Sequence, residues 1–372
     1  MGVLDSAKDA RNFNVGKVAL LVAAAGGPSI WGQVWRMAAM RIVGPRFTTP
    51  ELYTYGFFRP EIKRADRALY LSELKNEGFN QGTATEQSRA SKAFVDDKLA
   101  FEHFARSKGL AIAETLAGYG VADAALEPLG DEAAILRFLR RPGVLPVFGK
   151  PRASSHAFGV VSILSISADG DTLTLGNGMT YPAKALAAEV VANWSGGYLF
   201  QRHLFNHPRL QTHLGRATAT ARVTTIMGES GPELLYFVQR LPSATAMHDN
   251  SSVNRRGFAA VDPVSHKVTR IGLHTEGHVR DLDRWNDPSM PMIGVEVPFY
   301  DAAVDLALAT HRLLPKHPIV GCDVVLTENG PVLTEANTNP YHSVYQVAHG
   351  KGILSAELRG RLAKAVDLMG RI

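Results

Sequence analysis

The polar and apolar positions change rhythm along the chain. Beyond about residue 216 they alternate with the period of two that puts successive side chains on opposite faces of a strand. ATARVTTIM and ELLYFVQRL, joined by the turn GESG, predict one β-hairpin, and GFAAVDP with KVTRIGLH predicts another. VPFYDAAVDLALATHRLL predicts a helix, and a further helix from about Ala356 to Met369 closes the chain. Upstream, SKAFVDDKLAFEHFARSKGLAI carries Phe94, Leu99, Ala100, Phe101 and Phe104 in an amphipathic pattern and predicts a helix that stops at Gly109. DEAAILRFLRR predicts a helix ended by Pro142-Gly143. It leads to the strands GVLPVFGKP and VVSILSI, the turn-rich hairpin SADGDTLTLGNG, a helix near 183–192 and the strand GYLFQRHL. Residues 1 to about 90 mix short apolar stretches with polar helical ones. The elements alternate without a regular βαβ order, which predicts α+β subdomains rather than one doubly wound sheet.

Composition narrows this picture only modestly. A chain of 372 residues suggests two or three domains or subdomains, and 45% hydrophobic with 20% charged residues is ordinary for a globular protein. A formal charge of +5 suits anionic substrates such as nucleotides but is too diffuse to argue for nucleic acid. The lone cysteine, Cys322, excludes an intrachain disulfide and a cysteine-built zinc cluster, and its strand setting predicts a small buried packing residue. The apolar run Val18 to Ala25 is too short to span a bilayer, and the polar start is unlike a secretory signal, so a cytoplasmic protein is expected.

The stretch GCDVVLTENGPVLTEANTNP places Asp323, Glu335 and Asn337 among Val and Leu. Glu328-Asn329-Gly330 predicts a three-residue loop, which pairs Thr327 with Pro331, Val325 with Leu333 and Asp323 with Glu335. Asn337 then shares their face. A two-residue loop would put Asp323 on the opposite face from Glu335. Opposed carboxylates repel unless a cation or a proton sits between them, and a hard cation such as Mg2+ takes carboxylate and amide oxygens. The alternative is a solvated edge hairpin.

Phosphate binding has no P-loop and no GxGxxG to rest on. VFGKPRASSHAFGV offers another route, a lysine ending a strand before a loop of small residues whose backbone N–H groups can face phosphate. HTEGH places His274 and His278 four apart, but Gly277 weakens a helix there and no third zinc ligand is marked.

In order along the chain, DDKLAFEHF, VFGKP with its serines and FGV, YLFQRHLFNHP, TATARVTTI and GCDVVLTENGPVLTEANTNP resemble the ATP-grasp superfamily. Within it the resemblance points to the sugar-transfer associated group and covers about residues 50–350. It implies an ATP-grasp fold, two α+β subdomains gripping ATP, with an N-terminal domain over 1–90. The ATP-grasp domain then takes 91–372, its lid subdomain about 131–205 and its catalytic subdomain about 206–372. On this resemblance Lys98 and Lys150 hold nucleotide phosphates, and the loop from Arg152 to Gly159, with Ser154 and Ser155, covers them. Gln201 meets the base, Arg222 steadies the transferring phosphate, and Asp323, Glu335 and Asn337 bind Mg2+, with Mn2+ as a substitute. Arg222 and Lys150 are the implied catalytic residues. The implied activity joins a small-molecule carboxylate to an amine through an acyl phosphate, releasing ADP and phosphate. Alternatives are a phosphotransferase on a small metabolite or sugar, and a non-catalytic nucleotide-binding partner of a glycan-biosynthesis enzyme. The expected partners are small molecules and a second copy in a homodimer, with no nucleic acid and no membrane span.

Overall fold

The structure is a computed structural model and describes residues 4, 13–42, 47–81, 86–153, 159–243, 246–247, 255–275, 278–282, 285 and 291–371. Its strands are β1 (Thr115–Tyr119), β2 (Glu127–Leu129), β3 (Val147–Pro151), β4 (Val161–Ile166), β5 (Thr172–Leu175), β6 (Thr180–Pro182) and β7 (Tyr198–Arg202). They continue as β8 (Ala221–Gly228), β9 (Gly231–Leu241), β10 (Arg255–Val261), β11 (Val268–Thr275), β12 (His278–Leu282), β13 (Ile319–Thr327) and β14 (Gly330–Asn337). Among the described residues they form two sheets, ordered β2-β1-β7-β3-β4-β5-β6 and β12-β11-β10-β9-β8-β13-β14. The second sheet is antiparallel throughout, as hairpin connections allow.

The first sheet packs against the helices Glu132–Arg140 and Ala183–Asn193. Phe138, Leu139, Leu186 and Val190 meet Val147, Ile163, Leu175 and Phe200 in one apolar cluster. Asp131 starts the first of these helices by accepting from the Ala134 amide at 2.7 Å, satisfying a donor that the helix cannot.

The second sheet is covered on both faces. On one, Tyr300, Ala303 and Ala307 of the helix Tyr300–Arg312 pack on Val223, Phe237, Val320, Cys322 and Leu333. On the other, Leu52, Tyr55, Phe57, Tyr70 and Leu71 join Ile226, Val238, Phe258, Val344 and Leu358 in a single cluster. The segment before residue 72 is thus built into the core of the second sheet. At roughly 1.5–3 kcal/mol per buried large side chain, those five residues contribute on the order of 10 kcal/mol before ordering entropy is subtracted.

Three sequence expectations change. The helix expected to run unbroken into Gly109 is two helices, Glu86–Asp96 and Lys98–Ser107. Asp97 breaks it because its carboxylate accepts from the Leu99 and Ala100 amides, each at 3.2 Å, and so caps the second helix. His274 and His278 lie at the ends of paired strands, where Thr275 faces His278, so they share no helix face. The final hairpin has a two-residue turn, with Thr327 opposite Gly330, Val325 opposite Val332 and Val324 opposite Leu333. A bulge between Val324 and Asp323 then inserts Thr334 and restores Asp323 opposite Glu335. Among the described residues no helix is long and apolar enough to cross a membrane.

Candidate active site

The bulge decides which side chains reach the site. In an unbroken strand Leu333, Glu335 and Asn337 would share one face. Instead Leu333 is buried in the core, while Thr334, Glu335, Ala336 and Asn337 line a cleft of about 790 Å3 between the two sheets. The Thr334 hydroxyl donates to the Asp323 carbonyl at 3.0 Å and holds the bulge. A row of charge then crosses the second sheet, with Arg222 on β8 opposite Asp323 on β13, and Asp323 opposite Glu335 on β14.

Asp323 is held by arginines. Arg222 Nε and Nη2 donate to its two carboxylate oxygens at 2.6 and 3.1 Å, and Arg240 Nη2 lies 3.3 Å from Oδ1. Burial opposes both charges of the pair, yet each partner outweighs it. The Arg222 guanidinium ends above its usual value and the Asp323 carboxyl below. The repulsion expected between Asp323 and Glu335 is offset within the protein by Arg222 and Arg240, which contact the Asp323 carboxylate. Sequence reading missed Arg240. Its signal was its alternation with Val238, the β9 residue opposite Arg222, which sets Arg240 on the same face.

The first sheet supplies the opposite wall through Phe148, Lys150 and Gln201. Lys150 is buried, and its Nζ donates to the Thr334 carbonyl at 3.4 Å. Burial lowers its pKa to about 8; Lys98 pushes the same way, and Glu335 and Glu102 push back. Lys98, the first residue of its helix, also lines the cleft. Lys92, Lys98, Lys150, Arg202, Arg222 and Arg240 on the cleft wall thus outnumber Glu73, Asp96, Asp323 and Glu335, a balance suited to a polyanion.

Gln201 Nε2 donates to Glu102 Oε2 at 3.1 Å and to Thr115 Oγ1 at 3.0 Å. Glu102 is buried and also accepts from the Thr115 amide at 2.8 Å and from Arg106 at 3.0 Å. It fixes Gln201 from behind, and sequence reading passed it over. A carboxylate on the buried side of an amphipathic helix was the available signal.

The loop after β3 is anchored at both feet. Arg152 pairs with Asp97 at 2.5 Å, tying the loop to the start of the Lys98 helix. Gly159 adopts φ +75° against the Trp194 ring, with which a Cβ would collide, and its carbonyl accepts from Tyr198 Oη at 2.9 Å. Ala153 and Val160 line the cleft, whereas Gly159 sits against Trp194 and Tyr198. Ser154 and Ser155 lie outside the described residues.

A hard cation finds suitable donors here. Glu335 and Asn337 bring a carboxylate and an amide oxygen to the same stretch of wall, and Asn337 Oδ1 is oriented by the Asn339 amide at 2.9 Å. Asp323 serves as a further ligand only by sharing its oxygens with the arginines. Among the described residues no three His, Cys, Asp or Glu side chains form a cage. Mg2+ takes one or two carboxylates and completes its shell with water and substrate phosphates.

Residues 183–360 match the family described as sugar-transfer associated ATP-grasp. Similar solved structures include a D-alanine–D-alanine ligase from Bacillus anthracis, 14% identical over 76% of this chain and 68% of that one, with a TM-score of 0.39. VanG D-Ala:D-Ser ligase from Enterococcus faecalis is 13% identical over 75% and 63%, with a TM-score of 0.43. N5-carboxyaminoimidazole synthase from Aspergillus clavatus is 12% identical over 74% and 55%, with a TM-score of 0.39. The chain thus spans between about half and two thirds of these proteins. No curated protein sequence matches it. The family match covers just under half of this chain, and over that stretch the α+β protein is similar to the sugar-transfer associated ATP-grasp group.

Proposed function

We propose that the protein is an ATP-dependent ligase that activates a small-molecule carboxylate as an acyl phosphate for attack by an amine. The observation that carries this reading is the meeting, in one cleft, of Lys98, Lys150, Arg222 and Arg240 with Glu335 and Asn337. A carboxylate oxygen attacks the γ-phosphorus of ATP, the bond from that phosphorus to the β–γ bridging oxygen breaks, and ADP leaves with its electron pair. The amine nitrogen then attacks the acyl carbon, phosphate departs with the C–O electrons, and the ammonium proton passes to solvent.

Each residue has a part in that sequence. Lys98 and Lys150 neutralise the phosphates, and Arg222 presents its planar fork to the charge that develops on the transferring group. Asp323 sets the plane of that fork, and Arg240 adds a second cation beside it. Gln201, with its amide nitrogen committed to Glu102 and Thr115, presents its carbonyl oxygen to a donor such as the base amino group. Mg2+, held by Glu335 and Asn337, would supply charge neutralisation at the phosphates. Cys322 is fully buried with its thiol pushed up to about 12, which removes it as a nucleophile.

The test is an ADP-release screen over carboxylates with and without amines. ADP that appears only when both are present supports the ligase. Release with a hydroxyl acceptor alone makes the protein a phosphotransferase, and ATP binding without release under any condition makes it a nucleotide-binding partner.

A further inference from the structure

The N-terminal helical hairpin shows the surface that the catalytic reading leaves unexplained. Its second helix, Ile30–Ile42, is held rigidly by Gln33. That buried amide donates to the Ala19 carbonyl at 3.0 Å and the Pro28 carbonyl at 2.8 Å, and accepts from Tyr53 Oη at 3.0 Å. Val18, Ala19 and Val22 of the first helix pack with Tyr53 and Phe58 beneath it. Yet Trp31 and Trp35, one turn apart, are 78% and 77% exposed, with Ile30 and Val34 exposed beside them and Leu20 60% exposed on the first helix. A well-anchored helix that presents two tryptophans and several aliphatics to solvent has an occupant for that face.

The charge around it says what kind. Residues 13–42 contain Lys17, Arg36 and Arg41 and no Asp or Glu. Arg36 donates to the Arg59 carbonyl at 3.5 Å, and burial together with the nearby charges of Arg36 and Arg64 holds the Arg67 guanidinium below its usual value. Arg36, Arg64 and Arg67 therefore lie together beside the helix that carries the tryptophans, with Asp66 among them. An isologous dimer through this face would press the basic cluster against its own copy, which argues against a second protomer as occupant. Trp31 and Trp35 offer ring faces to bases, but Ile30, Val34 and Leu20 beside them are aliphatic area that stacking does not use, which favours acyl chains over nucleic acid. Tryptophan flanked by Arg and Lys is the pattern that partitions into the headgroup layer of an anionic bilayer. We propose that the helical hairpin 15–42 docks this protein on an anionic membrane surface, lying in the interface without crossing it.

The full chain is mixed with phosphatidylcholine vesicles, and separately with phosphatidylcholine vesicles containing phosphatidylglycerol, and co-flotation is measured at low and high salt. Binding is expected to the anionic vesicles alone and to weaken with salt. Tryptophan emission should shift to the blue, since Trp285 is buried, Trp194 is packed against the first-sheet core, and Trp31 and Trp35 are exposed to a change of environment. The double variant Trp31→Ser and Trp35→Ser should lose at least tenfold in vesicle binding, with the circular dichroism spectrum and ADP release unchanged. Arg64→Glu with Arg67→Glu should do the same through charge. Equal binding to neutral and anionic vesicles overturns the proposal. So does absence of vesicle binding, whether or not Trp31-dependent dimerisation or oligonucleotide binding is seen in its place.

Discussion

Lys150 is the residue at which position and environment part company. Its place before a loop of small residues was visible in the sequence, but a lysine ending a strand suggests an exposed one, and Lys150 is buried. Burial and the charge of Lys98 lower its pKa to about 8, so part of its charge is lost on mild alkalinisation. Bound phosphates favour the protonated form and raise the value, so ATP affinity is full below about pH 8 and declines as pH rises through the bound-state value. Titrating ATP between about pH 7 and about pH 9 checks this, with Lys150→Arg as the flat control because arginine stays charged throughout. An unchanged affinity across that range in the wild type would remove Lys150 from the phosphate site. Arg222 gives a second residue-scale expectation. Arg222→Lys keeps the charge and loses the planar fork, so most of the turnover rate should go while nucleotide affinity changes modestly. Arg222→Ala leaves Asp323 buried with Arg240 alone, and should cost about 3–5 kcal/mol by urea titration. A rate at or near wild type in Arg222→Lys would place that arginine outside the chemistry.

The β13–β14 hairpin shows how an element can be legible in outcome and not in route. The pairing of Asp323 with Glu335 was expected from a three-residue loop, and it is reached instead through a two-residue turn plus a bulge at Thr334. Both routes add one residue to the return strand, and the sequence pattern does not say where. Only the burial of Leu333 against the exposure of Glu335 to the cleft requires the shift between them. The arginines could not be placed either, because the contact between Arg222 and Asp323 joins residues about a hundred positions apart. Their presence changes what Glu335→Gln should do. Removing Glu335 leaves no relieved repulsion to gain, since Asp323 is already neutralised, and takes away a charge that attracts Lys150 and Arg222. Without ligand the variant should melt at or slightly below the wild type. Its stabilisation by Mg2+ with ATP should be clearly smaller, because stabilisation follows the affinity of the folded state for its ligand. Melting both proteins with and without Mg2+–ATP separates the cases, and equal shifts would make Glu335 a bystander of the cleft.

Across the whole molecule, the hairpins of the second sheet followed from periodicity, but β1, β2 and β12 and the joining of residues 52–71 to the second sheet did not. Short apolar runs such as the one holding Tyr55 and Phe57 carry no period that names their partner, and Val238, Phe258 and Val344 are far along the chain. Buried histidines mark the same joins. His342 Nε2 donates to Asn80 Oδ1 at 2.6 Å and its Nδ1 accepts from Tyr236 Oη at 3.1 Å, linking the N-terminal segment to β9. His311 Nε2 donates to the His317 carbonyl at 2.8 Å, while Nδ1 meets Thr225 Oγ1 at 2.7 Å. Burial lowers the pKa of His203, His311 and His317 to about 4 and that of His342 to about 3. In the unfolded chain each titrates near 6.5. Between those values the unfolded state takes up protons that the folded state refuses, so stability falls as pH drops from about 6.5 to about 4. Above about 6.5 these groups are neutral in both states and contribute no slope. Each histidine adds up to about 1.4 kcal/mol per pH unit inside the window, so four together should bring the urea midpoint down steeply. Replacing one by a neutral amide, as in His311→Gln, should flatten the pH slope within the window even where it lowers stability at neutral pH. A variant whose midpoint tracks the wild type in parallel from neutral pH to about pH 4 would show that His311 already takes up its proton in the folded state.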